Sequence, residues 1–315
     1  MKELRIVFMG TPDFAVGILE KLKDEGKNIV GVITAPDKPS GRGRKVSSSA
    51  VKEYAVSENL KVLQPTNLKN EDFLEELKSL QANLQIVVAF RMLPKVVWAM
   101  PEYGTFNLHA SLLPQYRGAA PINWAIINQE RTTGVTTFFI DEKIDTGEII
   151  DRAEITISEN ETAGTLHDKL MELGSELVLK TVSLIEKGKV IPKPQMETQT
   201  LKEAPKLTPN NTEINWHQNA EKINAFICGL SPYPVSWTSL INNGENLKAK
   251  IYSSSFTIEK HQLDVGTIIS SKKELKVASQ DGFIMVEEMQ LPGKRKMDII
   301  SLLNGFNFSE DSKMV

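Results

Sequence analysis

The chain has 315 residues, of which 41% are hydrophobic and 24% charged, and its formal net charge at pH 7 is -3. This length favours two domains, and the composition excludes a low-complexity or largely disordered protein. The near balance of charge argues against a general nucleic-acid coat but is compatible with a local basic patch. No segment reaches the roughly 18 consecutive apolar residues of a membrane span, and the first residues resemble a strand rather than a signal peptide. We therefore expect a cytoplasmic protein.

Cysteine and histidine are scarce in this chain. Cys228 is the only cysteine, so no internal disulfide can form and no cluster of thiolates can hold zinc or iron. The histidines lie far apart and none belongs to a pair with metal-ligand spacing; they are His109, His167, His217 and His261. We therefore expect no catalytic metal.

Short apolar runs alternate with longer amphipathic stretches over the first half of the chain, a pattern typical of βαβ units. The predicted strands are LRIVFMG, IVGVIT, LKVLQ, LQIVVAF, TFNLHA and VTTFFID. The predicted helices cover residues 13–25, the stretch after Ser47, and residues 70–80, 118–129 and 160–187. This order predicts an α/β fold with a mostly parallel sheet covered by helices. Such sheets bind ligands at the carboxyl ends of their strands.

The second half has a different character. Residues 190–207 carry prolines and polar residues with little periodicity, so we interpret them as a linker between domains at 1–189 and 208–315. After a helical stretch near residues 217–229, short alternating runs follow, including LKAKIYSSSF and GFIMVEEMQ. These runs predict a small β-rich domain, a barrel.

The turn after the first predicted strand does not have the sequence of a dinucleotide site. That fingerprint requires G-x-G-x-x-G, whereas here Gly10 is followed by Pro12 and Asp13. We expect a tight strand-to-helix turn rather than an NAD or FAD site. The chain also lacks G-x-x-x-x-G-K-[ST], so a P-loop nucleotide hydrolase is not expected.

Residues 104–125, GTFNLHASLLPQYRGAAPINWA, hold the most informative polar side chains. Asn107 and His109 are two apart on a predicted strand, so they share one face near its carboxyl end. A lone strand histidine is often structural, but this position favours catalysis. The next predicted strand ends in acids, which leaves Asp141 and Asp145 as alternative partners. Ser111 is not in a G-x-S-x-G elbow, so a serine hydrolase is not expected.

Together with the downstream IDTGEII, this stretch resembles the folate-dependent formyltransferases. The segments VFMGTPDFA, TAPDKPSGRGRK, APKLT and LPGKRKM extend the resemblance over almost the whole chain. It implies a Rossmann-like catalytic domain, an OB-like carboxyl-terminal barrel, and 10-formyltetrahydrofolate as the formyl donor without a metal. The additional segments resemble members that formylate the methionine of initiator tRNA to give formylmethionyl-tRNA for translation initiation. We expect a monomer, since an RNA that wraps the protein needs both domains accessible.

The resemblance also implies roles for individual residues. Asn107 and His109 would donate hydrogen bonds to the oxyanion of the tetrahedral intermediate. Asp145, in the Asp-Thr-Gly triplet, would orient the imidazole, while Asp141 would cap its loop or contact the donor. The implied folate-binding residues are Phe90, Met92, Leu93, Ser111, Leu112, Leu113, Pro114 and Asp141.

The implied folate loop departs from the family pattern. Relatives have Ala-Tyr-Gly-x-x-Leu-Pro where this chain has AFRMLP, with Phe90 and Arg91 and one residue fewer. Phe90 and Leu93 have an alternative role as core residues.

A basic loop, DKPSGRGRK, corresponds to the loop by which the resembled family enters the tRNA acceptor stem. Arginine suits bidentate phosphate contacts, although such charge runs are often only solvated. The implied tRNA-binding residues are Lys38, Arg42, Arg44, Lys45 and Lys206, and further lysines of the linker and of residues 294–296 extend the track. Two other hypotheses remain: a formyltransferase for a nucleotide sugar or another small amine, and a catalytically silent RNA-binding protein on the same scaffold.

Overall fold

The structure is a computed structural model that describes residues 3–40, 45–196 and 200–315. It contains two compact units. The sheet unit comprises Met1–Gly118, Thr133–Ile155 and His167–Lys202, and the barrel unit comprises Ala119–Thr132, Thr156–Leu166 and Glu203–Val315. A compact unit is not necessarily an independently folding domain, so the boundaries at residues 189 and 208 stay a prediction.

Up to residue 156, the chain forms ten described strands: β1 (Ile6–Gly10), β2 (Ile29–Ile33), β3 (Lys38–Ser40), β4 (Lys45–Ser47), β5 (Val62–Leu63), β6 (Leu84–Val88), β7 (Thr105–His109), β8 (Arg117–Gly118), β9 (Thr132–Phe139) and β10 (Ile149–Thr156). The main sheet has seven strands in the order β10-β9-β7-β6-β1-β2-β5. Its β1–β2, β1–β6, β2–β5 and β6–β7 pairs are parallel, and β7–β9 is antiparallel. The predicted mostly parallel, Rossmann-like sheet is confirmed.

The helices up to residue 186 are α1 (Asp13–Asp24), α2 (Ala50–Ser57), α3 (Glu71–Ser79), α4 (Lys95–Trp98), α5 (Pro121–Ile127) and α6 (Ala163–Glu186). α1 buries Phe14, Ile18 and Leu22, whose spacing places them on one face. β1 is buried along its whole length, because helices cover both faces of a parallel sheet. None of the helices in the described part of the chain has the length and hydropathy of a membrane span.

The edge strand β10 was not among the predicted strands. Its sequence, IIDRAEIT, carries three charged residues, and its burial alternates between half-buried and exposed positions over most of its length. An edge strand packs on fewer neighbours than a central one, so its apolar signal is weak. The sheet therefore extends one strand beyond the element VTTFFID that the sequence predicts.

The barrel unit contains a second, antiparallel sheet. The strands of this sheet are β12 (Ser236–Asn242), β13 (Glu245–Ile258), β14 (Ile268–Ser270), β15 (Leu275–Ala278), β16 (Gly282–Gln290), β17 (Met297–Asp298) and β18 (Lys313–Met314), while the short β11 (Glu203–Ala204) lies outside it. Its helices are a 3-10 turn (Pro209–Asn211), α7 (Ala220–Leu230) and α8 (Ile299–Leu303). The order β14-β15-β16-β13-β12-β18 is nearly closed by a bridge from Thr267 to Lys313. The predicted OB-like barrel is confirmed.

Alternating side chains of these strands fill the barrel. Leu240, Ile251, Ile284 and Met289 are fully buried, and Trp216 packs in the same cluster. Strand β12, which the sequence pattern did not predict, alternates strictly between buried and half-buried residues. Its outward residues include Trp237, Ser239 and Ile241, so polarity alternates only partly.

Candidate active site

Asn107 and His109 lie on one face of β7, at its carboxyl end, while Phe106 and Leu108 are buried on the other face. The alternation follows from the two-residue period of a strand. Asn107 is half-buried. Among the described residues its side-chain amide has no hydrogen-bond partner. A polar group of this kind is available to a substrate.

The His109 ring is held between two oxygen atoms. It is buried, with 6% of its surface exposed, and its Nε2 donates a hydrogen bond to the Tyr116 carbonyl at 2.8 Å. Nδ1 lies 3.8 Å from Oδ2 of Asp145, which is an ion-pair distance rather than a hydrogen bond. Donation from Nε2 to a substrate would therefore take the place of the contact with Tyr116.

The structure distinguishes the two candidate acids geometrically. Asp145 is half-buried and its Oδ2, besides facing His109, accepts a hydrogen bond from the Gly118 N–H at 3.1 Å. Asp141 is exposed, and its carboxylate accepts hydrogen bonds from the Lys143 N–H and the Thr146 hydroxyl, at 2.9 and 2.8 Å. Of the two acids, Asp145 is the one brought to His109, whereas Asp141 closes its own loop.

The SLLP turn after β7 is tied into the sheet unit. The Ser111 hydroxyl is buried and donates to the Gln115 carbonyl at 2.7 Å. The Ser111 carbonyl in turn accepts from the Thr136 hydroxyl at 2.6 Å. Leu113 is fully buried beside Phe138. Leu112 and Pro114 are half-buried, so the latter two retain more surface for contact with a donor.

The atypical loop after β6 divides between core and surface. Leu93 belongs to a buried cluster and Phe90 packs against it, while Met92 is 69% exposed. The Arg91 guanidinium donates to the Thr66 carbonyl at 2.9 Å and also to the Pro65 carbonyl. It lies over the Phe90 ring, 5.7 Å from the ring centroid. Arg91 thus fastens this loop to the one after β5.

The predicted tRNA-binding residues are only partly described. Arg42 and Arg44 lie outside the described residues. Lys38 is exposed at the start of β3, which pairs with β4, where Lys45 lies. Lys206 is exposed in the barrel unit.

Asp37 fastens the base of the β3–β4 hairpin. It accepts hydrogen bonds from Lys52 and, at 2.8 Å, from Gln64. These contacts, that with Lys52 above all, hold the pKa of the Asp37 carboxyl below its ordinary value. The described residues contain no cluster of three or more histidine, cysteine or acidic side chains suited to a metal ion.

Comparison with known proteins yields one family for both parts of the chain. The model of the formyl transferase family matches residues 4–182, and that of the formyl transferase carboxyl-terminal domain matches residues 206–307. Methionyl-tRNA formyltransferase of Flavobacterium johnsoniae is 58% identical over 314 residues, covering 100% of both chains. The enzyme of the same name from Bacteroides thetaiotaomicron is 51% identical over 318 residues, covering 99% of each.

Solved structures show the same fold at lower identity. WlaRD, a sugar 3N-formyl transferase crystallised in the presence of dTDP and 5-N-formyl-THF, superposes with a TM-score of 0.65 and 21% identity, covering 94% of this chain and 100% of that one. HypX from Aquifex aeolicus, in complex with tetrahydrofolic acid, gives 0.64 and 17%, covering 96% and 47%. Both parts of the sequence and the full-length relatives thus agree, and the chain belongs to the formyl transferase family of enzymes.

Proposed function

We propose that this protein transfers the formyl group of 10-formyltetrahydrofolate to the amino group of methionine on initiator tRNA. The observation that carries the proposal is full-length identity of 58% with an enzyme named for that acceptor. The uncommitted Asn107 amide and the adjacent His109–Asp145 pair support the reaction type.

The reaction needs an oxyanion donor and a path for one proton. The amine nitrogen attacks the formyl carbon, and the carbonyl electrons move to oxygen. When the oxyanion collapses, the bond between the formyl carbon and N10 breaks. The proton that the amine loses balances the one that N10 takes up.

Asn107 is the side chain best placed to stabilise the oxyanion. Its amide can donate to a new acceptor without giving up a protein contact, since the described residues offer it none. Such preorganised donors act where charge develops, and removal of one costs about 100-fold to 1000-fold in kcat.

His109 acts as the second donor. When Nε2 donates to a carbonyl, it carries a proton, and Nδ1 is the atom that faces Asp145. With both nitrogens protonated, the carboxylate stabilises the ring's positive charge. His109 Nε2 then donates to the oxyanion in place of the Tyr116 carbonyl.

The formyl donor would lie along the loops after β6 and before Asp145. We assign to it the exposed and half-buried surfaces of Phe90, Met92, Leu112 and Pro114, with Leu93, Leu113 and Ser111 holding the loops in place from beneath. Asp141 would contact the donor from the rim. These assignments rest on position at the carboxyl edge, where ligands of parallel sheets bind.

The tRNA would meet the basic residues Lys38, Arg42, Arg44, Lys45 and Lys206. We further propose that the protein acts as a cytoplasmic monomer. A runner-up acceptor is the amino group of a nucleotide sugar, as the name of WlaRD suggests for that protein. The basic loop favours the RNA, because a sugar acceptor does not require a row of phosphate-binding cations.

The test is formyl transfer from 10-formyltetrahydrofolate to methionyl initiator tRNA, beside methionyl elongator tRNA and an amino sugar linked to dTDP. We expect formylated initiator tRNA only, with an acceptor KM that rises steeply with salt. Transfer to the sugar alone would replace the acceptor assignment. No transfer to any of them from folded protein would overturn the proposed function.

A further inference from the structure

Gln195 lies in the segment that the sequence predicts to be a linker, but in the structure its side chain is half-buried in the sheet unit. Its amide Nε2 donates hydrogen bonds to two carbonyls, those of Asp145 and Gly147, each at 2.9 Å. Its Oε1 accepts from the Arg117 guanidinium, at 3.2 Å from Nε and 2.7 Å from Nη2. Both the nitrogen and the oxygen of this amide are therefore hydrogen-bonded, and the amide joins Arg117 to the loop that carries Asp145.

That loop has a conformation that needs support. Asp145 has a φ of 55°, in the left-handed region that residues with a Cβ rarely adopt. Two residues later, a Cβ on Gly147 would lie 1.7 Å from the Phe139 carbonyl oxygen, so the loop is pressed against β9. Conformations of this kind persist where surrounding contacts fix them. The two hydrogen bonds from Gln195 to the carbonyls of Asp145 and Gly147 stabilise the loop in this conformation.

The other end of Gln195 leads to the histidine. Three consecutive residues of the turn after β7 lead from Gln195 to the proposed catalytic groups. The Arg117 side chain donates to Gln195. On either side of it, the Tyr116 carbonyl accepts from His109 and the Gly118 N–H donates to Asp145. The turn after β7 is thus joined to the Asp145 loop directly, by the Gly118 N–H, and also through the Arg117 guanidinium and the Gln195 amide.

The segment around Gln195 is itself fastened on both sides. Lys193 and Ile149 exchange two backbone hydrogen bonds, at 2.8 and 2.9 Å, which adds a bridge to the edge strand β10. The Lys202 carbonyl accepts from the Tyr116 N–H at 2.6 Å. The backbone two residues before Gln195 is therefore held to β10.

We propose that Gln195, held by Arg117, is a positioning residue that sets the Asp145 carboxylate against His109. This inference rests on the proposed function for its consequence in catalysis, but its geometric part does not depend on the acceptor. Glutamine is suited to the task because one side chain must donate to two carbonyls and accept from a guanidinium. A glutamate at this position could still accept from the guanidinium, but its carboxylate oxygens would repel the two carbonyl oxygens instead of donating to them.

A double-mutant cycle with Asp145→Asn tests whether Gln195 acts through Asp145. We expect Gln195→Met, which preserves length, to lower kcat by about 100-fold, since a misplacement of 1 Å has effects of that size. KM for donor and tRNA should stay within about threefold. In the Asp145→Asn background the same change should cost less than about threefold, because the group it positions is already lost. Equal losses in both backgrounds would overturn the proposal.

A matched control uses the other glutamine that fastens this segment. Gln115 donates to the Thr200 carbonyl at 3.3 Å and accepts from the Lys202 N–H at 2.8 Å. Gln115→Met should therefore loosen the same segment while kcat stays within about threefold of wild type. A loss equal to that of Gln195→Met would mean that general loosening, and not the grip on the Asp145 loop, explains the effect.

A second readout needs no substrate. In nitrogen-15 NMR spectra the imidazole signals of His109 should move in Gln195→Met and stay in place in Gln115→Met. Arg117→Met, which removes the holder and leaves Gln195 intact, should move them in the same direction. Unmoved signals would overturn the positioning role. If the wild-type protein is inactive but the His109 signals move in the variants as expected, the proposed function alone would be overturned.

Discussion

Two strand asparagines, one in each unit, have opposite surroundings. Asn242, the last residue of β12, is 7% exposed, and both the nitrogen and the oxygen of its side-chain amide are hydrogen-bonded. Its Nδ2 donates to the Asn307 carbonyl at 3.2 Å, and its Oδ1 accepts from the Ser309 N–H at 3.0 Å and from the Ser312 hydroxyl. Asn107 of β7 is half-buried, and within the described parts of the chain its amide contacts no donor or acceptor.

The difference shows where chemistry can occur. Burial of a polar group is costly unless it is hydrogen-bonded, so a committed amide such as that of Asn242 stabilises the barrel. The Asn107 amide, which has no partner among the described residues, is instead available to bind a ligand. The predictions below challenge this contrast, beginning with the change of largest expected effect.

Replacement of Asn107 should affect catalysis and leave folding intact. We expect Asn107→Ala to lower kcat by about 100-fold to 1000-fold, because it removes an oxyanion donor. The midpoint of urea unfolding should move little, since no hydrogen bond to the described residues is lost. Asn67→Ala serves as a control, because among the described residues the Asn67 side chain hydrogen-bonds with the Lys69 N–H of its own loop alone. Wild-type kcat in Asn107→Ala would refute the oxyanion role.

The two acids of the loop before β10 should respond differently. Asp145→Asn removes the charge that faces His109 and should lower kcat by about 100-fold, the lower range of acid-base contributions. Asp141→Asn should leave kcat within about twofold and raise only the KM for the formyl donor. Steady-state kinetics with both substrates varied distinguishes the two. Equal losses of kcat in the two variants would contradict the different roles inferred for Asp145 and Asp141.

The Asn242 amide should contribute to stability and not to the reaction. Asn242→Ala leaves buried donors and acceptors unpaired, which costs about 1–3 kcal/mol in the free energy of unfolding. Formyl transfer per folded molecule should not change. The control is Asn246→Ala, an exposed residue of β13 that pairs with Ile241, where the cost should stay within about 0.5 kcal/mol. Urea titration of both variants provides the measurement.

Arg91 and Arg5 offer a matched pair at opposite ends of the sheet. Each guanidinium donates to two backbone carbonyls: Arg91 to those of Pro65 and Thr66, and Arg5 to those of Leu80 and Gln81. We expect Arg91→Ala to raise the KM for 10-formyltetrahydrofolate about tenfold, because the Phe90 loop loses its fastening while chemistry is retained. Arg5→Ala, at the amino end of β1, should leave that KM unchanged. A rise in both variants would indicate a general loss of stability.

Cys228 should be unreactive in the folded protein. It is buried in α7, and burial raises the pKa of its thiol to about 11, with a smaller contribution from the charge of Glu287. At pH 8 only about a thousandth of the thiol is then thiolate, the reactive form.

The sign of the linkage follows from this raised pKa. The buried, protonated Cys228 thiol makes its full contribution to the free energy of unfolding below pH 9.0, the pKa of the thiol in the unfolded chain. This contribution is lost as the pH rises through the folded pKa of about 11. Reaction with Ellman's reagent at pH 8 should be slow in buffer and fast in urea. Equal rates would mean that the thiol is accessible in the native state.

Much of the scaffold is predictable from the sequence because the signals involved are local. Continuous apolar runs such as LQIVVAF predict buried parallel strands, and the structure has β6 at Leu84–Val88. The two-residue period of a strand likewise predicts that Asn107 and His109 share one face, as they do on β7. Strands with mixed polarity, β10 and β12, escape prediction because edge and barrel strands show weaker patterns.

Periodicity and residue type were enough to predict the sheet apart from β10, a β-rich barrel apart from β12, and the polar face of β7. Spacing left Asp141 and Asp145 as alternatives, because the two acids lie in the same short segment; the folded structure shows Asp145 facing His109 and Asp141 closing its own loop, as the family resemblance implied. The structure also shows that Gln195, which lies in the predicted linker, contacts the loop that carries Asp145. A contact between residues 50 positions apart depends on the folded path of the chain, and no local pattern encodes that path.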